Sequence, residues 1–283
     1  MLPNRHFASL PKAFWANVRT ISQEVGYTVR NRGIIRVPTM GDIRDAYQRL
    51  GLTTRHLVDE ADIVTGFGAT LLDYFAFRAS QLDDYVEPRL MNADRARCEY
   101  ERLRAKLKPK CPLPMNKQKR EKKAPAFLTC IVNMLVEAGI RDLPCDYDPR
   151  QLTTITRDDG PLRTLARRVD GAFPSTVNPI AIWEIKEYYY TTTFGSRVAD
   201  GVYETLLDGL ELEELRVNES LHVEHYLMVD AYYTWWDCGK SFLCRIIDML
   251  HMGYVDEVLF GYEVIERLPD IVRRWCMTAR EGT

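Results

Sequence analysis

The chain has 283 residues, 46% of them hydrophobic and 28% charged, with a formal net charge of −2 at pH 7. Those values describe an ordinary soluble globular protein of one large or two moderate domains. They exclude a uniformly basic polyanion binder, so any nucleic-acid surface must come from uneven charge distribution.

The N-terminal part is predicted to be mainly helical. Apolar residues recur at helical spacing over residues 14–25, 42–50, 67–85 and 93–107. Thr39 can cap the second of these helices and Gly51 can end it. Thr53 and Thr54 can cap a further helix through Val64. The two short helices around Gly51-Leu52-Thr53 then faintly resemble a helix-turn-helix, with simple helix packing as the alternative. Residues 27–37 carry Arg30, Arg32 and Arg36 around Gly33, a basic hairpin either on the surface or near DNA.

A strongly basic run follows. From Arg102 to Lys123 there are ten Lys or Arg and one acid, Glu121. Pro109, Pro112 and Pro114 make its centre extended, so it reads as a linker. The division is therefore a helical region over 1–108, with a DNA-recognition or dimerisation role, a basic linker over 109–123, and a core over 124–283. Lys117, Lys119, Arg120, Lys122 and Lys123 are either solvated or aimed at phosphates, where contacts raise affinity without reading bases.

The core opens with a predicted helix over 125–138, on which Glu137 is an accessory acid or a solvated residue. Residues 163–170 read as a strand ending in Val169-Asp170-Gly171. Gly171, Pro174, Ser175, Asn178 and Pro179 supply a turn. Then Ile180-Ala181-Ile182-Trp183-Glu184-Ile185-Lys186 reads as a buried strand. Alternation puts Glu184 and Lys186 on one face and Ile185 on the other. A buried strand seldom carries Glu and Lys on one face unless they pair or bind something. Hairpin pairing brings Asp170 beside Glu184, and a hard divalent cation relieves the repulsion between two such carboxylates. Lys186 can then orient or deprotonate a water and stabilise charge on a phosphate. The alternative is an ion pair between Glu184 and Lys186 on an edge strand, with Asp170 as a turn residue before Gly171.

Beyond Lys186, a helix capped by Ser196 carries Val198, Val202, Leu206, Leu207 and Leu210. A buried strand over 225–231, a helix over 240–252, a strand over 255–262 and a last helix to about residue 277 complete the pattern. Tyr188-Tyr189-Tyr190 and Tyr232-Tyr233-Thr234-Trp235-Trp236 follow predicted strands and either stack on nucleic acid or pack in the core. Lys240 and Arg245 are phosphate contacts or solvated.

Asp170, Glu184 and Lys186, followed by a helix and another strand, resemble the PD-(D/E)xK nuclease superfamily, which includes most type II restriction endonucleases. Val169 stands where the motif has proline. The resemblance implies an α/β fold, in which a mixed central β-sheet flanked by helices forms a restriction endonuclease-like core. It also implies Mg²⁺ held by Asp170, Glu184 and the Ile185 carbonyl, with Lys186 assisting the water. The activity expected is site-specific hydrolysis of double-stranded DNA. Expected DNA contacts are Lys117, Lys119, Arg120, Lys122, Lys123, Arg30, Arg32 and Lys240. Palindromic recognition favours a homodimer, a heterodimer being open, alongside a companion DNA methyltransferase. Two other readings are a repair or recombination nuclease on the same fold, and a non-catalytic DNA-binding module.

Other motifs fail. Cys238-Gly239-Lys240-Ser241 ends like a phosphate-binding loop, but Thr234 stands where its first glycine is required. Gly66-Phe67-Gly68 lacks a preceding strand and a third glycine. Seven cysteines without a Cys-x-x-Cys pair argue against structural zinc and make a reduced cytoplasm the expected compartment. No signal peptide and no membrane-spanning apolar run are read.

Overall fold

The computed structural model describes residues 1–29, 33–118, 121–190 and 195–281. The N-terminal part holds α1 (Arg5–Ala8), α2 (Lys12–Val25), the antiparallel pair β1 (Thr28–Val29) and β2 (Ile34–Ile35), α3 (Met40–Arg49) and α4 (Gly66–Ser80). Helix α3 starts as its sequence predicts, with Thr39 and Asp42 forming a reciprocal capping box. The predicted helix over 53–64 does not form. Those residues make turns tied by a bridge between Val58 and Val64, so there is no second helix for a helix-turn-helix. Thr65 caps α4 instead, accepting from Gly68 N.

Next come α5 (Ala93–Leu107), β3 (Met115–Gln118), β4 (Glu121–Pro125), α6 (Phe127–Ile140), β5 (Asp146–Tyr147), β6 (Thr154–Arg157), β7 (Gly160–Thr164), β8 (Gly171–Phe173) and β9 (Ala181–Glu187). They are followed by α7 (Ser196–Glu219), β10 (Glu224–Asp230), α8 (Lys240–His251), β11 (Glu257–Phe260) and α9 (Glu263–Glu281). The fold is α/β: a five-stranded mixed sheet in the order β11-β10-β9-β8-β5, flanked by helices. β9 is central, antiparallel to β8 and parallel to β10. On one face Trp183, Ile185, Tyr226, Met228 and Leu259 pack with α5, α6 and α9. On the other, Leu227, Val229, Val258 and Phe260 meet α7 and α8, while Ala172 and Ile182 meet Leu212 and Leu215.

Three expectations shift. Residues 163–170 are not one strand: β7 ends at Thr164 in a hairpin with β6, and the partner of β9 is the short β8. The supposed turn at Gly171 is therefore strand, and a glycine is required there because a Cβ would lie 2.0 Å from the Trp183 ring. The basic run is not a linker throughout: residues 108–114, which hold its prolines, form no helix or strand, but β3 and β4 beyond them pair antiparallel. Helix α5, grouped with the N-terminal part by sequence, buries Ala96, Tyr100 and Leu103 in the same cluster as α6 and α9. No helix among the described residues is long and apolar enough to cross a membrane.

Helix α4 is tied to α8 by a buried charge. Arg78 is 1% exposed, and its Nη1 lies 3.0 Å from both carboxylate oxygens of Asp248, which also accepts from the Tyr74 hydroxyl at 2.6 Å.

Candidate functional site

The pairing of β8 with β9 sets the site. Gly171 faces Trp183 across the ladder, so Asp170 lies level with Glu184 and on the same face. The Asp170 N–H donates to Trp183 O at 3.1 Å, and its carboxylate accepts from Ile185 N at 2.7 Å. The Ile185 carbonyl leaves β9 on the same edge as its N–H, toward Asp170. Asp170, Glu184 and Lys186 are thus brought together, on the central strand and not on an edge. Ion pairing between Glu184 and Lys186, the alternative reading, is present too: Lys186 Nζ lies 2.7 Å from Glu184 Oε2.

Three side chains that the sequence reading did not single out complete the cluster. Arg167, in the β7–β8 connection, places Nη1 2.9 Å from Glu184 Oε1 and 2.6 Å from Asp208 Oδ2. Glu204 receives Lys186 Nζ at 3.1 Å and Arg167 Nη2 at 3.3 Å. Glu184 and Asp208 are fully buried, and an oxygen of each, Glu184 Oε1 and Asp208 Oδ1, has no aligned hydrogen-bond donor. The short Arg167–Glu184 approach is therefore a charge contact more than a directed hydrogen bond. The signal for these acids was available: Gly201, Glu204, Thr205 and Asp208 share one face of α7. Gly201 admits the Lys186 stem, whose Cδ would lie 3.1 Å from a Cβ there.

The charges divide unevenly. Burial and the neighbouring Glu184 charge push Asp170 up to about 6, against the pull of Lys186. Burial also raises Glu184, but Lys186 and Arg167 outweigh it and hold the carboxyl below its usual range. Burial and Glu184 lift Asp208 to about 7. Burial lowers the Lys186 pKa, yet Glu184 and Asp170 raise it further, above its ordinary value. Lys186 is therefore a fixed cation, suited to charge stabilisation and not to proton abstraction at neutral pH.

On the opposite face, half-buried Glu187 accepts from Leu128 N at 3.0 Å and Thr129 Oγ1 at 2.8 Å, supplying the cap that Ala126 cannot give α6. Burial pushes its carboxyl up to about 7. Asp230, beside it on β10, accepts from Met91 N at 2.7 Å and is likewise raised to about 7 by burial.

The other predicted residues lie apart. Lys240 Nζ donates to Gly33 O at 2.7 Å and sits 4.0 Å from the Trp236 ring centre. Arg30, Arg32, Lys119 and Arg120 lie outside the described residues, as do the side chains of Lys117, Lys122 and Lys123. Glu137 accepts from Lys110 N at 3.0 Å, fixing the chain after α5. Trp235 and Trp236 are core residues, while Tyr233 is exposed.

Among the described residues no group of three or more His, Cys, Asp or Glu is arranged to hold a metal ion. Two carboxylates and a carbonyl nonetheless converge where Asp170 meets β9, all hard oxygen donors suited to Mg²⁺. Burial and the neighbouring Glu184 charge raise the Asp170 carboxyl, a cost that a cation there would relieve.

The chain belongs to the DUF7687 family, a domain of unknown function, which matches residues 91–275. Residues 1–85 match a second domain of unknown function, DUF7690. Comparison with curated proteins and with solved structures gave no match.

Proposed function

We propose that the chain is a Mg²⁺-dependent nuclease of the PD-(D/E)xK type, a restriction endonuclease-like enzyme hydrolysing phosphodiester bonds in double-stranded DNA at a specific sequence. The observation that carries this reading is the Asp170 carboxylate held on Ile185 N, level with Glu184, with Lys186 on the same face. Burying these charges at the centre of a sheet is costly for folding alone, since apolar residues of similar volume often serve stability as well or better.

Asp170, Glu184 and the Ile185 carbonyl would hold the cation. When bound, the cation supplies Lewis acidity and a more acidic water. Lys186 faces the phosphate and stabilises the charge that develops on its oxygens. Arg167 fixes Glu184 from the far side, and Glu204, the most exposed acid of the cluster at 45%, stands at the entrance. A homodimer with a companion DNA methyltransferase in a cytoplasmic restriction system is the biological setting that suits this activity.

The test is digestion of unmethylated phage DNA with Mg²⁺, followed by sequencing of the ends. Discrete fragments with a common end sequence support the reading. Structure-dependent cuts indicate a repair-type nuclease, and binding without cleavage indicates a non-catalytic module. Asp170→Ala and Glu184→Ala should each abolish cleavage while retaining DNA binding in Ca²⁺, and near-normal cleavage by either overturns the site.

A further inference from the structure

A cavity of about 580 Å³ lies on the far side of α7 from the acidic cluster. That volume is in the usual range for small-molecule sites, which favour junctions between structural units. This is such a junction. Arg19, Tyr27 and Leu50 come from the segment matching DUF7690, and Val202, Tyr203 and Arg245 from that matching DUF7687.

Two arginines, Arg19 and Arg245, and two acids, Glu24 and Asp248, line it, and Glu24 Oε2 already lies 3.7 Å from Arg49 Nε. Arg245 is half-buried, with its guanidinium carbon 4.2 Å from the Tyr27 ring centre and 4.7 Å from that of Phe242. Its Nη1 donates to Ser241 O at 3.2 Å. Neither Arg245 nor the exposed Arg19 has a carboxylate partner among the described residues. Asp248 also lines the cavity, but both its oxygens are taken by Arg78. A guanidinium clamped between two rings without a counter-ion keeps its fork of donors for an anion, and Arg forks suit phosphate geometry. Around it stand an exposed tyrosine, Tyr203, the thioether side chains of Met249 and Met252, and Leu50 at the mouth. Such surfaces take a flat aromatic group. Gln23 adds both donor and acceptor capacity for a polar ring edge.

We infer that this cavity binds a nucleotide, its phosphate on Arg245 and Arg19 and its base against Tyr203 and the methionines. The same chemistry is offered by a free mononucleotide and by the 5′-phosphorylated end of a DNA strand. The inference stands independently of the nuclease reading, because the cavity shares no side chain with Asp170, Glu184 or Lys186.

The experiment is equilibrium binding to the full chain, without metal, of deoxynucleoside 5′-monophosphates, the matching nucleosides, inorganic phosphate and a short 5′-phosphorylated oligonucleotide. Mononucleotides should bind more tightly than nucleosides or phosphate. If only the oligonucleotide binds, and through Arg245, the strand end is the source. Arg245→Ala should weaken binding by about tenfold to a hundredfold, the usual scale for a lost charge-assisted hydrogen bond. Leu50→Trp, at an exposed position, should block entry with both arginines intact and the melting temperature unchanged. Asp170→Asn should bind as the wild type does. Absence of binding by every probe at millimolar concentration overturns the inference. So does binding that survives both Arg245→Ala and Leu50→Trp, or that is lost only in Asp170→Asn.

Discussion

At the scale of single residues, protonation decides what the cluster can do. Asp170 binds a proton up to about pH 6 in the folded chain, and a protonated carboxyl is no metal ligand. Cleavage should therefore fall as pH drops through about 6, and rising Mg²⁺ should move that midpoint lower, because ion and proton compete. A midpoint indifferent to Mg²⁺, in a pH–rate profile at several concentrations, assigns the transition to another group. Lys186 is held as a cation, so Lys186→Ala should lower the single-turnover rate by about 10²–10⁴-fold with DNA binding retained. An unchanged rate returns Glu184 and Lys186 to an ion pair of purely structural value. Gly171 carries a different demand. Gly171→Ala drives a methyl into the Trp183 ring and should cost about 1–3 kcal/mol or more, as overpacking does. Urea denaturation measures it, and an unchanged midpoint shows that Trp183 can move aside.

At the scale of elements, the pairs and caps explain which parts of the sequence were legible. The helices α2, α3, α5, α6, α8 and α9 stand where apolar spacing put them, and β9, β10 and β11 where short apolar runs did. Alternation made Glu184 and Lys186 legible on one face, and the expected antiparallel pairing made Asp170 legible beside Glu184. The error over 163–170 arose because Arg163 and Thr164 belong to a two-stranded hairpin whose outer residues stay half-exposed. A local pattern does not distinguish that hairpin from the main sheet. Arg167 was unreadable for a related reason: its partners Glu184, Glu204 and Asp208 come from two later elements. The helix predicted after Thr53 failed because Asp59 accepts from Ala61 N and Ile63 N, folding the segment into turns closed by the Val58–Val64 bridge. Strands β3 and β4 carry Lys117, Lys122 and Lys123 of the basic run. Neutralising Lys117, Lys119, Arg120, Lys122 and Lys123 together should weaken cognate and random DNA alike. It should also flatten the slope of log affinity against log salt by up to about 0.9 per lost phosphate contact. A selective loss of cognate binding makes the hairpin part of the base-reading surface, and an unchanged slope removes it from the DNA contact.

At the scale of the whole molecule, buried carboxylates tie stability to pH. Glu187, Asp208 and Asp230 keep their protons to about pH 7 when folded, against about 4 in an unfolded chain. Between those values the native state binds more protons than the unfolded one, so stability falls as pH rises from about 4 to about 7 and levels off above. Glu187→Gln should flatten this slope in metal-free urea titrations, and an unaltered slope shows that Glu187 is ionised in the fold. Arg78 and Asp248 join the N-terminal helices to the core, and Arg78→Ala should cost about 3–5 kcal/mol by leaving Asp248 buried and unpaired. The seat of the site within the sheet has a kinetic counterpart. β9 is paired with β10 along its whole length, whereas β8 meets it over three residues and reaches outward only to the two-residue β5. Amide hydrogens of Glu184 and Lys186 should exchange with deuterium only when the whole chain opens, while those around Asp170 should exchange through frequent local fraying. The two carboxylates thus belong to regions that breathe at different rates, and occupancy by Mg²⁺ should register as slowed exchange at Asp170 and at Asp148, whose N–H donates to Asp170 O at 3.0 Å, with β9 unaffected.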